Sequence, residues 1–192
     1  MSVGGVLLTG GASRRMGFDK ATIVVGGIRL AARLGAELEA VCAPALEVGP
    51  GVSGLAVVVD EGGGPLVAFG AGVAELDRLG FSGDVLLFAC DLPFADRRVM
   101  SMLATWPHPG SVVPVVAGRP QPLAARWSAE HLVIVGELVS AGERSLRALV
   151  ELSGVILIDE GDWSPLVSAE AFWDVDTPED IERLGLKWSK PE

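Results

Sequence analysis

Apolar residues along the chain fall into two kinds of run. Short, mostly apolar runs predict strands at Val6–Thr9, Ala45–Val48, Leu55–Asp60, Val85–Cys90, Val112–Ala117, Gln121–Trp127 and Val155–Asp159. Longer stretches with helical spacing predict helices at Leu30–Glu39, Pro65–Leu79, Arg97–Trp106, Ala129–Leu138, Ser145–Leu152 and Pro178–Leu184. The two kinds alternate, which predicts an α/β domain. Val57-Val58-Val59 and Val85-Leu86-Leu87-Phe88 lack polar alternation, as expected for parallel strands buried on both faces. Val113-Pro114-Val115-Val116, followed by Gly118 and Gln121–Ala125, reads as a local hairpin. Its prolines predict edge strands or a flap, because proline cannot donate to a ladder.

Composition narrows the class. A chain of 192 residues fits a single domain, here residues 1–186, with 187–192 expected as a loose tail. No apolar run reaches the length of a membrane span, and no basic segment leads into a long apolar one at the N-terminus, so neither a membrane helix nor a secretory signal is expected. The formal net charge of −10 argues against a broad basic face for nucleic acid or anionic membrane. Cys42 and Cys90 form no metal-type pair and read as small buried residues of a reducing, cytoplasmic compartment.

Against that acidic background, residues 4–20 concentrate glycine and positive charge: Gly10 and Gly11, Ser13, Arg14 and Arg15, Gly17, Asp19 and Lys20. Glycines let the backbone approach a ligand, exposed N–H groups line anion sites, and Arg and Lys neutralise phosphates. The alternative is a solvated turn. The loop matches neither the phosphate-loop ATPase pattern nor the dinucleotide fingerprint.

Carboxylates stand at predicted strand ends, where open α/β sheets bind ligands. They are Asp60, Asp91, and the pair Asp174 and Asp176, which shares one face of an extended segment. Asp91 either binds Mg²⁺, a hard cation that shares oxygen ligands with phosphates, or caps the helix that follows. Thr177, Pro178 and Asp180 read as a capping box that needs no active site. Gly62-Gly63-Gly64-Pro65 is either a helix N-terminus facing an anion or a flexible connection. His108 and His131 have no metal partner evident in the sequence, and the tryptophans are scattered packing residues.

Taken in order, these elements resemble the molybdenum cofactor guanylyltransferases, within the Rossmann-like nucleotidyltransferase group. The carrying residues are Leu8-Thr9-Gly10-Gly11-Ala12-Ser13-Arg14-Arg15-Met16-Gly17-Phe18-Asp19-Lys20, Val59-Asp60, Gly64-Pro65-Leu66, Cys90-Asp91-Leu92-Pro93-Phe94, Arg119–Leu123, Ala141–Ser145 and Val175-Asp176-Thr177-Pro178-Glu179. The resemblance implies a three-layer fold with a mostly parallel sheet and a small hairpin flap. It implies transfer of GMP from GTP to molybdenum-bearing molybdopterin, with release of pyrophosphate. It places nucleotide contacts at Leu8, Thr9, Gly10, Gly11, Lys20, Asp60 and Asp91, charge neutralisation at Arg15 and Lys20, and Mg²⁺ on Asp91 and Asp176. Gln121 and Arg144 fall on the acceptor side, and transient contact with cofactor delivery or acceptor proteins follows. Three departures stand out: Thr9 where alanine is usual, Gly49 near a customary asparagine, and Ala68 where a glycine closes the Gly64-Pro65-Leu66 element. A cytidylyltransferase for the same cofactor and a non-catalytic nucleotide-binding relative are the competing readings. Gly10-Gly11 favours guanine, and the carboxylates favour chemistry.

Overall fold

The computed structural model describes residues 2–10, 23–25, 27–59 and 62–188. In chain order the elements are β1 (Gly4–Leu8), β2 (Ile23–Val25), β3 (Ile28–Arg29), α1 (Leu30–Glu39), β4 (Ala45–Val48), β5 (Ala56–Val58), α2 (Pro65–Arg78), β6 (Val85–Ala89), α3 (Arg97–Ala104), β7 (Val112–Val116), β8 (Arg119–Pro120), β9 (Ala124–Trp127), α4 (Ala129–Ser140), α5 (Arg147–Val150), β10 (Ile156–Ile158), α6 (Glu160–Trp163), a 3₁₀ turn (Ala169–Phe172), α7 (Pro178–Arg183) and β11 (Lys187–Trp188).

The main sheet has the order β10-β7-β9-β6-β1-β4-β5, with β8 attached to β7. All neighbours on the path are parallel except β9, which runs antiparallel to both β6 and β7. Side chains alternate across the sheet and both faces are covered, so the central strands carry no polar alternation. Leu7, Leu86 and Phe88 pack in one core with α1, α3 and the C-terminal segment through Phe172, Val175 and Ile181. Val6, Leu8, Val85 and Leu87 pack in the other with Leu66 and Phe69 of α2, Val135 of α4 and Leu149 of α5. The helices match this division: α1 buries Leu30, Leu34 and Leu38, one apolar stripe at a spacing of four.

Three expectations change. First, β7 and β9 are interior strands, and only the β7–β8 turn forms the hairpin flap. Pro114 is tolerated because β9 pairs with β7 only at Val112, so the ladder has ended on that side before the missing donor would be needed. There the Pro114 carbonyl instead accepts from Gln121 N at 2.8 Å. Second, β5 is an edge strand with Val57 and Val59 exposed, so its apolar run does not mark burial on both faces. Third, Lys187 and Trp188, expected in a loose tail, pair antiparallel with Val24 and Ile23 and form a small second sheet with β3.

Candidate active site

Parallel pairing brings three strand ends into one line. Leu8 of β1 lies in register with Val48 of β4 on one side and Ala89 of β6 on the other. The chain leaves these ends as Thr9–Gly10, Gly49–Ser53 and Cys90–Asp91, so the sheet topology alone assembles one carboxyl-end crevice. Its floor is tightly tied. Thr9 N and Gly10 N both donate to Val48 O, at 3.0 and 3.3 Å, and Cys90 N donates to Leu8 O at 2.9 Å. The N–H donors of Thr9 and Gly10 are therefore used within the fold.

Asp91 is half-buried at the end of β6. It does not cap α3; Asp96 does, accepting from Arg98 N at 2.9 Å and Val99 N at 3.3 Å. Between these two aspartates the turn is clamped by Arg33 of α1, which donates to Ala95 O at 2.9 Å and Pro93 O at 2.5 Å. Burial pulls the Arg33 guanidinium below its ordinary range, while Glu37 and Asp96 support its charge. On the other side, Val175 N donates to the Asp91 carbonyl at 2.9 Å. That bond joins the Asp174–Asp176 segment to the end of β6, from about 80 residues further along the chain. Burying Val175 between two exposed aspartates fixes the face they share.

The segment is held from below by α7. Thr177 Oγ1 accepts from Asp180 N at 3.2 Å, and the Asp180 carboxylate accepts from Thr177 N at 2.9 Å and Asp176 N at 3.0 Å. Arg183 adds a contact at 2.8 Å. Led by Arg183, these donors hold the Asp180 carboxyl down at about 2. The expected capping box is thus present, and it also anchors the Asp176 main chain. Phe94 and Trp173 meet edge to face beside it, with ring centroids 6.4 Å apart.

Two further loops reach this end. Ala89 N donates to Leu123 O at 3.1 Å, which carries Gln121–Leu123 alongside Asp91. The glycine turn before α2 packs against the loop that follows α4. Gly64 adopts φ +106° and lies so close to Arg144 that a Cβ would sit 2.9 Å from its carbonyl, which accepts from Leu66 N at 3.1 Å. The Arg144 guanidinium donates to Val139 O at 3.1 Å and Glu143 O at 2.8 Å, at the end of α4. Ala68 is buried in the α2-side core, so its methyl group packs there.

The sequence reading missed Glu47. This fully buried residue of β4 accepts from the Thr9 hydroxyl, from Gly51 N, Val52 N and Ser53 N at 2.8, 2.9 and 2.7 Å, and from Ser53 Oγ at 2.5 Å. Burial by itself would raise its carboxyl, but the hydroxyls of Ser53 and Thr9 and the loop N–H groups outweigh it and hold the group below the ordinary range. The only sequence signal was a lone glutamate inside an apolar strand. Gly11, Arg15, Lys20 and Asp60 lie outside the described residues.

Among the described residues no three His, Cys, Asp or Glu side chains gather as a metal site. Asp91 and Asp176, the residues expected to hold Mg²⁺, carry only oxygen donors. That donor set suits Mg²⁺, which keeps waters and takes substrate phosphates as further ligands.

The MobA-like NTP transferase domain matches residues 5–159. A molybdenum cofactor guanylyltransferase from Rhodobacter capsulatus is 30% identical over 195 residues, covering 95% of each chain. A probable molybdenum cofactor guanylyltransferase from Mycobacterium tuberculosis (strain ATCC 25618 / H37Rv) is 34% identical over 180 residues, covering 87% of this chain and 88% of that one. The crystal structure of molybdopterin-guanine dinucleotide biosynthesis protein A from Archaeoglobus fulgidus shares the fold, with a TM-score of 0.76 at 18% identity over 94% of this chain and 96% of that one. With the strand-end crevice and the matched sequence span in agreement, the chain belongs to the MobA-like NTP transferase family and is a nucleotidyltransferase.

Proposed function

We propose that this protein transfers GMP from GTP to the terminal phosphate of molybdenum-bearing molybdopterin. An acceptor phosphate oxygen attacks the α-phosphorus of GTP. The bond from that phosphorus to the α–β bridging oxygen breaks, and pyrophosphate leaves with the electron pair. The acceptor phosphate is already anionic, so no general base is required, and the protein's work is alignment and charge neutralisation.

The observation that carries this reading is the junction of Asp91 with the Asp174–Asp176 segment through Val175 N. It gathers carboxylates from two distant parts of the chain at the sheet end that also holds β1, while Asp96 takes over helix capping. Asp91 and Asp176 would hold Mg²⁺, which would offset phosphate charge when bound. Arg15 and Lys20 would neutralise the triphosphate and the leaving pyrophosphate. For the base, the carbonyls at Leu8 and Thr9, with the Asp60 carboxylate, would accept from guanine N1–H and N2–H₂. Gln121 lies on the side where the acceptor would enter. Arg144 would have to leave its α4 carbonyls to reach it. Transient contact with proteins that deliver or receive the cofactor, in the cytoplasm, belongs to the same reading.

The experiment is thermal stabilisation of the purified protein by GTP, CTP, ATP and UTP, each with Mg²⁺. GTP at a hundred times its dissociation constant adds about 2.7 kcal/mol of stability. A rise in melting temperature with GTP and none with CTP is expected; equal shifts with CTP would remove the guanine assignment.

A further inference from the structure

The Glu47 cluster is a costly arrangement with no role yet in the chemistry. An ionised carboxylate in a strand core is tolerated only when its oxygens are well satisfied, and an aliphatic residue would serve packing alone at least as well. Here both oxygens are used. Successive N–H groups of Gly51, Val52 and Ser53 turn inward and form an anion nest, whose occupant is the chain's own side chain. Among the described residues, Thr9 is the contact that links this nest to the end of β1. It is held twice, by its hydroxyl to Glu47 and by its N–H to Val48 O. Gly49 closes the remaining space: at φ +154°, a Cβ there would lie 2.2 Å from Thr9 Oγ1 and 2.6 Å from Gly10 N. The end of β1 is therefore tied laterally to β4, which sets the orientation of its last peptides.

We propose that Glu47 is a positioning residue for base recognition, acting through Thr9 and the Gly51–Ser53 turn to fix the β1 exit against which the nucleotide base is read. The proposal rests on the reading of this crevice as a nucleotide site. Glu47 touches no substrate. Its effect falls on base affinity and selectivity, and the triphosphate contacts are left to other residues. Thr9 and Gly49 act as a matched pair, since the threonine hydroxyl fills the space that a side chain at 49 would need.

The test uses the whole chain and two Thr9 variants. Thr9→Val keeps the β-branched shape and removes the hydroxyl, while Thr9→Ser keeps the hydroxyl. Dissociation constants are measured by calorimetry for GTP, CTP, ATP, UTP and inorganic tripolyphosphate, each with Mg²⁺. Thr9→Val is expected to weaken the preferred nucleotide on the order of tenfold, the size of one lost buried hydrogen bond. It should also compress discrimination among the bases while leaving tripolyphosphate affinity unchanged, and Thr9→Ser should restore wild-type values. Unaltered selectivity in Thr9→Val overturns the proposal. So does an equal loss for tripolyphosphate, which would mark a merely structural role. If Thr9→Val does not fold, Ser53→Ala carries the same expectations and the same overturning results. A wild type that prefers a nucleotide other than GTP overturns the guanylyl reading, but the same comparison on that nucleotide still decides the role of Glu47. A wild type that binds none of the four overturns both.

Discussion

At the scale of single residues, helix capping and the proposed metal binding fall to different aspartates. Asp91 and Asp96 lie five positions apart in one turn, yet only Asp96 caps α3. Asp91→Asn is therefore expected to leave the α3 cap in place and the apo protein folded with a cooperative melt. Guanylyl transfer at saturating Mg²⁺ should fall at least a hundredfold, since a hard cation loses a charged ligand. Urea unfolding together with a radiolabelled-GTP transfer assay would check this. Full activity in the variant would remove the metal assignment.

At the scale of elements, the connections that carry the site are over-determined, whereas the β7–β8 turn is strained. Val116 and Arg119 pair across the two-residue loop Ala117–Gly118, in which Ala117 has φ +47° and Gly118 φ +74°. Such a loop favours Asn-Gly, because alanine in the left-handed region costs about 1–2 kcal/mol. Glu160 of α6 accepts from Ala117 N at 2.6 Å and steadies the turn. Ala117→Asn keeps that N–H and relieves part of the strain. It is expected to raise stability by about 0.5–1 kcal/mol, seen as a rise of a few degrees in a thermal melt. A fall in melting temperature would show that the turn does not limit stability. By contrast, the Asp91 turn is held from α1 by Arg33 and from the C-terminal segment by Val175, so it has little slack to remove.

At the scale of the whole molecule, the pH dependence of stability follows from carboxyls held below their ordinary range, Glu47 and Asp180. The unfolded chain takes up these protons first, near pH 4, so it binds more protons than the native state below that point. Their stabilisation is fully present above the unfolded values and is lost as pH falls toward the depressed native ones. Asp180 is partly exposed, so solvent screens its pairing with Arg183, and both carboxyls should contribute. Stability from urea melts should decline steadily from pH 5 to pH 3. In a Thr9→Val, Ser53→Ala double variant, which deprives Glu47 of both hydroxyl donors, that decline should flatten. An identical slope would assign the acid loss to other groups.

The unbroken apolar runs at β1 and β6 determined that a buried parallel sheet exists, and the stripe of Leu30, Leu34 and Leu38 determined α1 to the residue. The Thr177–Asp180 box was legible because capping is a contact between near neighbours. The carboxylates at strand ends were legible as candidates, because a strand that stops at an aspartate marks its own end. What lay beyond local pattern was the meaning of those carboxylates. Whether Asp91 or Asp96 capped α3 depended on how the turn closed, and Arg33 decides that from a helix 60 residues away. The prolines of Val112–Val116 read as an edge, yet the strand is interior, because the length of the neighbouring ladder is a tertiary fact. Glu47 was invisible for the same reason. A carboxylate in an apolar strand has a cost the sequence can register, but the donors that offset it come from β1 and from a turn that only the folded chain brings together.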